Sequence, residues 1–357
     1  MKTIYETIDP AEVDTPRAQA ILEKAGEIIR AGGLVAFPTE TVYGLGGDAE
    51  NREASKKIYA AKGRPSDNPL IVHICALDQL KEIAAEYTED MGRLAQAFWP
   101  GPLTIIVNSS GLIPHETTGG LDTVAVRFPS HPVANALIRV SGRTIAAPSA
   151  NTSGRPSPTE AAHVRDDLDG KIDMIIDGGH VDIGLESTIV DLTEEAPTIL
   201  RPGYITPDDV KRVLGACRID PGITQENTHV RPKAPGMRYR HYAPKAHLTI
   251  IEGGRQQVLK ALATKAEESA AGGAKTAVIC SAEAAEALKA KTTGIEIITI
   301  GAEGNDDEIA ANLFAVLRKC DDDGVERIFS ESYEDGRIGG AIMNRLIKAA
   351  GHDIITV

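Results

Sequence analysis

The sequence predicts a two-domain α/β protein, and three observations carry that expectation. Short aliphatic runs of strand length alternate along the chain with segments of helical period. Aromatic residues make up only 4% of the 357 residues, so the cores must be built from Ala, Val, Ile and Leu, as suits strands buried under helices. The alternation fails once, between about 215 and 245, in a Pro- and Gly-rich stretch without a clear period. That break divides the chain into residues 1–214, a connector over 215–245 and residues 246–357. Each outer part is long enough to bury a core of its own.

Taken in order, Thr15-Pro16 opens a helix with Pro at the first helical position. Ile21, Leu22, Ala25, Ile28 and Ile29 then recur at helical spacing until Gly32-Gly33 ends it. The run LVAF (34–37) is a strand that stops against Pro38, and the polar, glycine-rich PTETVYGLGGDA after it reads as a turn. A helix near 52–61, a strand at 70–74, helices across 78–98 and strands at 103–107 and 123–128 follow. Next come a helix near 132–140 and a short strand around 144–147. SPTE at 157–160 has the form of a capping box with Pro at the first helical position, which predicts a helix start with Ser157 as N-cap. Strands at 174–176, 188–192 and 198–200, and a helix opened by Thr206-Pro207, complete this part. Beyond the connector the rhythm is regular: HLTIIE, helix 255–268, TAVIC, helix 282–290, IEIITI, helix 306–318, RIFS, helix 339–349, DIITV. Strict alternation of strand and helix implies a parallel, Rossmann-like sheet.

The net charge of −13 excludes a protein drawn as a whole to nucleic acid or to anionic membranes. A nucleotide or RNA contact must come from a local basic patch. The N-terminal MKTIYETIDPAEVD lacks the basic and apolar regions of a secretory signal, and no apolar run approaches bilayer length. Cys75, Cys217, Cys280 and Cys320 lie far apart with no C-x-x-C pair, so no protein-held metal of the usual zinc spacing is expected. Scattered thiols fit a reducing cytosol, and the expected location is cytoplasmic.

The phosphate-binding signature G-x-x-x-x-G-K-[ST], the G-x-G-x-x-G turn and the G-x-S-x-G elbow are all missing. Polar clusters instead follow the expected strands, where α/β proteins build their sites. Thr39 and Thr41 stand in the glycine-rich PTETVYGLGG. Lys62 and Arg64, with Asn68 and His73 behind them, suit a polyphosphate, or else form a solvated basic helix end. His73 alternates with apolar neighbours and reads equally as a satisfied core histidine. Arg127 sits in an aliphatic strand, where an unpaired guanidinium is costly, so it needs a carboxylate from the protein or from a ligand. PSANTSGRPSPTE supplies Ser149, Asn151 and Ser153 around Gly154, and its helix start is a natural anion site. Ser187 enters one strand in GLESTIVDL, and Arg201 leaves another in ILRPGYIT. An RNA-binding module using the connector's Arg238, Tyr239, Arg240, His241 and Tyr242 is one alternative function. The acidic charge and the lack of an RNA-binding signature speak against it.

The order and wording of these clusters resemble the YrdC/Sua5 family. Residues 32–204 look like the YrdC domain, while PGMRYRHYAP in the connector and GRIGGAIMNRLIKAA near the C-terminus resemble the long Sua5-type members. The resemblance implies a twisted mixed sheet with helices, followed by a smaller Rossmann-like parallel domain. It also implies threonylcarbamoyl-AMP synthesis from L-threonine, bicarbonate and ATP with Mg²⁺, the product passing to the machinery that modifies tRNA at adenosine 37. By motif, Lys62 and Arg64 would be catalytic, with Lys62 on the phosphates. Arg64, Asn68, Thr123, Ser149, Ser157 and Arg201 would contact ATP. Thr41, His73, Arg127 and Ser187 would hold threonine, and the connector, with Tyr239 and His241, would act as a lid. Neither membrane association nor stable tRNA binding is expected. A carbamoyltransferase of the same domain type is the nearer alternative, to be decided by substrate preference.

Overall fold

The computed structural model describes residues 2–223, 233–234, 241–289, 294–334 and 336–357. Its contacts divide the chain into two units, Met1–Ser153 with Ser157–Tyr239, and Gly154–Pro156 with Arg240–Val357. The helix start read at Thr15 is real: its hydroxyl accepts from the N–H of Ala18, and α1 (Pro16–Arg30) follows. The first unit continues with α2 (Arg52–Lys62), α3 (Leu77–Ile83), α4 (Glu89–Phe98), α5 (His115–Thr118), α6 (Pro132–Ser141), α7 (Ala161–Leu168) and α8 (Pro207–Leu214).

Its strands are β1 (Ile4–Thr7), β2 (Val35–Phe37), β3 (Gly44–Asp48), β4 (Ile71–His73), β5 (Leu103–Asn108), β6 (Thr123–Arg127), β7 (Ile145–Ala146), β8 (Met174–Asp177), β9 (Thr188–Asp191), β10 (Thr198–Arg201) and β11 (Arg218–Ile219). They form one mixed sheet in the order β1-β8-β2-β3-β7-β4-β6-β5-β9-β10-β11.

Two sequence expectations fail here. The glycine-rich stretch is not merely a turn, because its second half is β3, paired antiparallel with β2 and β7. Glycine is needed there for room: a Cβ on Gly46 would lie 2.7 Å from both Ile145 Cγ2 and Phe37 Cε1. The second failure is the capping box. Helix α7 begins at Ala161 rather than at Pro158, and the Ser157 hydroxyl donates to Glu186 Oε1 at 2.5 Å instead of capping. A carboxylate brought in from 29 residues away outcompetes the local helix signal. Meanwhile the Pro158 and Thr159 carbonyls accept from Tyr43 and Val181, which keeps the segment extended.

One face of the sheet is covered except at its edge strands. Val72, Ile105, Val126, Val190 and Ile199 point into a core shared with Ile58 of α2, Leu80 of α3, Leu94 of α4 and Val210 of α8. The opposite face is covered only in part. Over β2, β7 and β8, residues Val35, Phe37, Ile145, Met174 and Ile176 pack against Leu22, Ala25 and Ile29 of α1 and Leu137 of α6. Further along, Ile71, Ile106, Ala125, Ile189 and Leu200 form a separate cluster that no described helix covers. Ala234 of the connector packs into it.

The second unit is a five-stranded, fully parallel sheet in the order β14-β13-β15-β12-β16. Its strands are β12 (His247–Glu252), β13 (Thr276–Cys280), β14 (Glu296–Thr299), β15 (Arg327–Glu331) and β16 (Ile354–Thr356). They alternate with α9 (Arg255–Ala271), α10 (Ala282–Lys289), α11 (Asp306–Asp322) and α12 (Gly339–Ala350), as the sequence rhythm requires. Among the described residues no helix is long and apolar enough to cross a membrane.

Candidate active site

The half-face without helices is where the polar residues gather, and strand periodicity puts them there. Side chains two apart on a strand share a face, so His73 follows Ile71, and Thr123 and Arg127 flank Ala125. The same rule sets Thr104 beside Ile106 and Ser187 just ahead of Ile189. Register aligns them laterally: His73 pairs with Arg127 across parallel β4 and β6, and Thr104 pairs with Arg127 across antiparallel β5 and β6.

At this end Arg127 is fully enclosed. Its Nη1 donates to the Thr41 hydroxyl at 2.9 Å, and its Nη2 lies 2.6 Å from Glu40 Oε1. The carboxylate that Arg127 requires is therefore supplied by the protein. The Thr39 hydroxyl donates to the Val42 carbonyl at 2.6 Å, so at 2.9 Å from Thr41 Oγ1 it must accept the Thr41 proton. The Thr41 oxygen thus accepts from Arg127 and keeps one lone pair. Ser187 Oγ accepts from Arg201 Nη2 at 3.1 Å and lies 2.7 Å from Thr104 Oγ1, while Arg201 Nε donates to the Ser187 carbonyl.

His73 places Nδ1 3.1 Å from the Ile71 carbonyl, so that nitrogen carries the proton. Complete burial, reinforced by the charge of Arg127, pushes its pKa down to about 3. It is a neutral imidazole at physiological pH, a hydrogen-bonding group rather than a cation.

A second group forms at the other end of the same strands. Lys62 is buried, and its ammonium donates to the Ser149 and Asn151 carbonyls at 2.5 Å each. It is the tie that shapes the PSAN loop, and the Ser149 hydroxyl donates to Asn151 Oδ1 within that loop. Arg64 donates to the Asn68 and Pro69 carbonyls, which folds the chain back on itself just before β4. Asn68 is buried, and among the described residues its Oδ1 has no hydrogen-bond partner. An antiparallel bridge between Gly44 and Ser149, and the Ala150 N–H donating to Tyr43, stitch the PTETVYG and PSAN runs together. Thr123 stands on the site face at the start of β6. Four residues before Arg127, it lies about 13 Å away at roughly 3.3 Å per residue.

The structure therefore brings Thr41, Arg127, Ser187 and Arg201 to one end, with His73 beside Arg127. It gathers Lys62, Arg64, Asn68 and Ser149 at the other. Ser157 joins through Glu186. Tyr239 lies outside the described residues, and His241 lies beside Tyr242, ring centres 5.6 Å apart. From the connector, Lys233 pairs with Glu194 and with Asp191, and Ala234 lies on the site face. Sequence reading missed Glu40, Thr104 and Glu186. Glu40 and Glu186 each adjoin a residue it singled out, and a carboxylate inside such an uncharged run was the available signal.

Comparison with known proteins is consistent along the whole chain. The family model described as "Telomere recombination", for Sua5, YciO and YrdC proteins, matches residues 27–203. The model for the "Threonylcarbamoyl-AMP synthase, C-terminal domain" matches residues 205–351. A protein of Pyrococcus abyssi named threonylcarbamoyl-AMP synthase is 48% identical over 93% of this chain and 95% of its own length. The chain belongs to the YrdC/Sua5 family. It is of the long Sua5 type. A Bacillus subtilis protein of the same name is 45% identical, over 94% of each chain. The crystal structure of P. abyssi Sua5 complexed with L-threonine superposes with a TM-score of 0.90 at 45% identity, covering 100% of both chains.

The Sua5-type second unit has a cavity of about 580 Å³ at the carboxyl ends of its strands, lined by Glu252, Glu303, Asp306, Glu331 and Glu334 among others. Four N–H groups beside it already have carboxylate partners. Ser281 N–H donates to Glu331, Ala302 to Glu308, Glu303 to Glu283 and Ile338 to Asp306. Burial raises the pKa of Glu331.

Proposed function

We propose that this chain is a threonylcarbamoyl-AMP synthase, converting L-threonine, bicarbonate and ATP to L-threonylcarbamoyladenylate and pyrophosphate. One observation supports the reading most: Arg127 gathers with the hydroxyls of Thr41 and Ser187 at one end of these strands, and Lys62, Arg64, Asn68 and Ser149 gather at the other. That arrangement suits an amino acid and a triphosphate meeting between them. On this reading Thr41, His73, Arg127 and Ser187 hold threonine. Arg64, Asn68, Ser149 and Arg201 hold ATP, with Thr123 and Ser157 at its margin, and Lys62 fixes the PSAN loop against the phosphates.

The chemistry asks for positioning and charge neutralisation rather than a covalent nucleophile, since a carbamate oxygen attacks the α-phosphorus. On this reading Arg64, Arg127 and Arg201 supply this, and a dry site protects the carbamate from water. Mg²⁺ enters with ATP. Among the described residues no three His, Cys, Asp or Glu side chains converge to hold a metal ion. The connector, whose Ala234 already lies on this face, serves as the lid. The reaction belongs in the cytoplasm. The family resemblance implies that its product passes to a separate tRNA-modifying enzyme, and a chain of net charge −13 is not expected to hold tRNA firmly.

The test is pyrophosphate release by the purified chain with ATP, Mg²⁺ and bicarbonate, with and without L-threonine. Release is expected to need both threonine and bicarbonate. It should fall about 10- to 100-fold in Arg64→Ala, the loss expected of a charge-assisted contact. Release only with carbamoyl phosphate would instead make the chain a carbamoyltransferase.

A further inference from the structure

We propose that Glu40 recognises the ammonium group of the amino-acid substrate by exchanging its ion pair with Arg127 for a pair with the incoming zwitterion. The inference rests on reading the Arg127 end of the face as the threonine end.

Glu40 and Arg127 are 5% and 4% exposed and 2.6 Å apart. Burying two charges is expensive, and it is tolerated when hydrogen bonds satisfy the remaining donors and acceptors. Here they do not. Among the described residues, Oε1 and Oε2 of Glu40 and Nε and Nη2 of Arg127 are buried without a hydrogen bond of ordinary geometry. Among the described residues, the one hydrogen bond the guanidinium makes is donated by Nη1 to the Thr41 hydroxyl. Buried polar atoms are nearly always partnered, so four orphans on one ion pair call for an explanation.

A zwitterion provides one. Its carboxylate meets the unused donors of Arg127, and its ammonium meets the unused acceptors of Glu40. One contact between opposite charges becomes two, and the buried site gains no net charge. A hydroxy acid would set its carboxylate against Glu40 with nothing to offset the repulsion. An amine without a carboxylate would meet Arg127 in the same unfavourable way. Two neighbouring groups are less suited to the task. Glu186 has its Oε1 engaged by Ser157 at 2.5 Å, and His73 is neutral. Glu40 is also held in place, since its carbonyl accepts from the Ile183 N–H at 3.0 Å.

Calorimetric titration of the full-length chain tests the exchange, using L-threonine and 2,3-dihydroxybutanoate, which carries a hydroxyl in place of the ammonium. The wild type is expected to prefer threonine. Glu40→Gln should bind threonine at least about 10-fold more weakly and the hydroxy acid as well as the wild type does or better, so the preference collapses. Equal weakening for both ligands would reduce Glu40 to a support for Arg127 and overturn the proposal, as would unchanged threonine binding. The double variant Glu40→Gln/Arg127→Met removes both buried charges together and covers the case where the single variant does not fold. It should show no preference, and a retained preference for threonine would equally overturn the proposal. The underlying site reading fails differently. If threonine affinity is untouched by Arg127→Met alone, this end is not the threonine site, and the proposal falls with it.

Discussion

His73, enclosed and neutral beside Arg127, leaves a mark on how stability depends on pH. An unfolded histidine titrates near 6.5, whereas this one is held down at about 3 in the fold. Its contribution is therefore complete above about pH 6.5 and is lost as pH falls toward 3, at up to about 1.4 kcal/mol per pH unit. His131, lowered by burial against the pull of Glu40 and Asp182, adds with the same sign. Thermal melts between about pH 8 and 5 should show the melting temperature falling below about 6.5, with a flatter fall in His73→Gln. An unchanged slope would remove His73 from the account. At this scale the sequence was legible wherever a side chain carried its own demand. A charge in an aliphatic strand had to be paired, and Arg127 is. The partner was not legible, because Glu40 is 87 residues away and reaches Arg127 only through a strand order that no local pattern encodes.

Strands and helices show the same division. The caps at Thr15 and Thr206 were readable because nothing distant competes for those hydroxyls; Thr206 and Asp209 form a reciprocal capping box. The equally good signal at Ser157 failed because Glu186 reaches it first. Strand β3 was unreadable for a different reason. GLGGD has poor strand propensity, and it is a strand because Phe37 and Ile145 fill the space its side chains would occupy. Gly46→Ala is accordingly expected to cost about 1–3 kcal/mol through overpacking. Gly340→Ala in α12, where a Cβ meets nothing within 4 Å, should cost none. Comparative thermal melting checks the pair, and equal melting temperatures would show that β3 gives way easily.

At the scale of the whole molecule, the alternation of elements was legible throughout the second unit, where each strand follows a helix and every pairing is parallel. The eleven-strand order of the first unit was not, since β1 pairs with β8 and β5 with β9 across long stretches of chain. The connector matters at this scale, because its Ala234 packs on the half-face that no described helix covers. Deleting residues 231–244 is expected to lower adenylate synthesis while the circular dichroism of both units persists; undiminished turnover would dispose of the lid. The span from Thr123 to Arg127 has a consequence for inheritance. A base substitution in β6 alters one side chain, whereas one codon gained or lost there turns every later side chain to the opposite face and shifts the spacing by about 3.3 Å. Outside Arg127, lineages carrying this gene can revise the spelling of β6 more readily than its length.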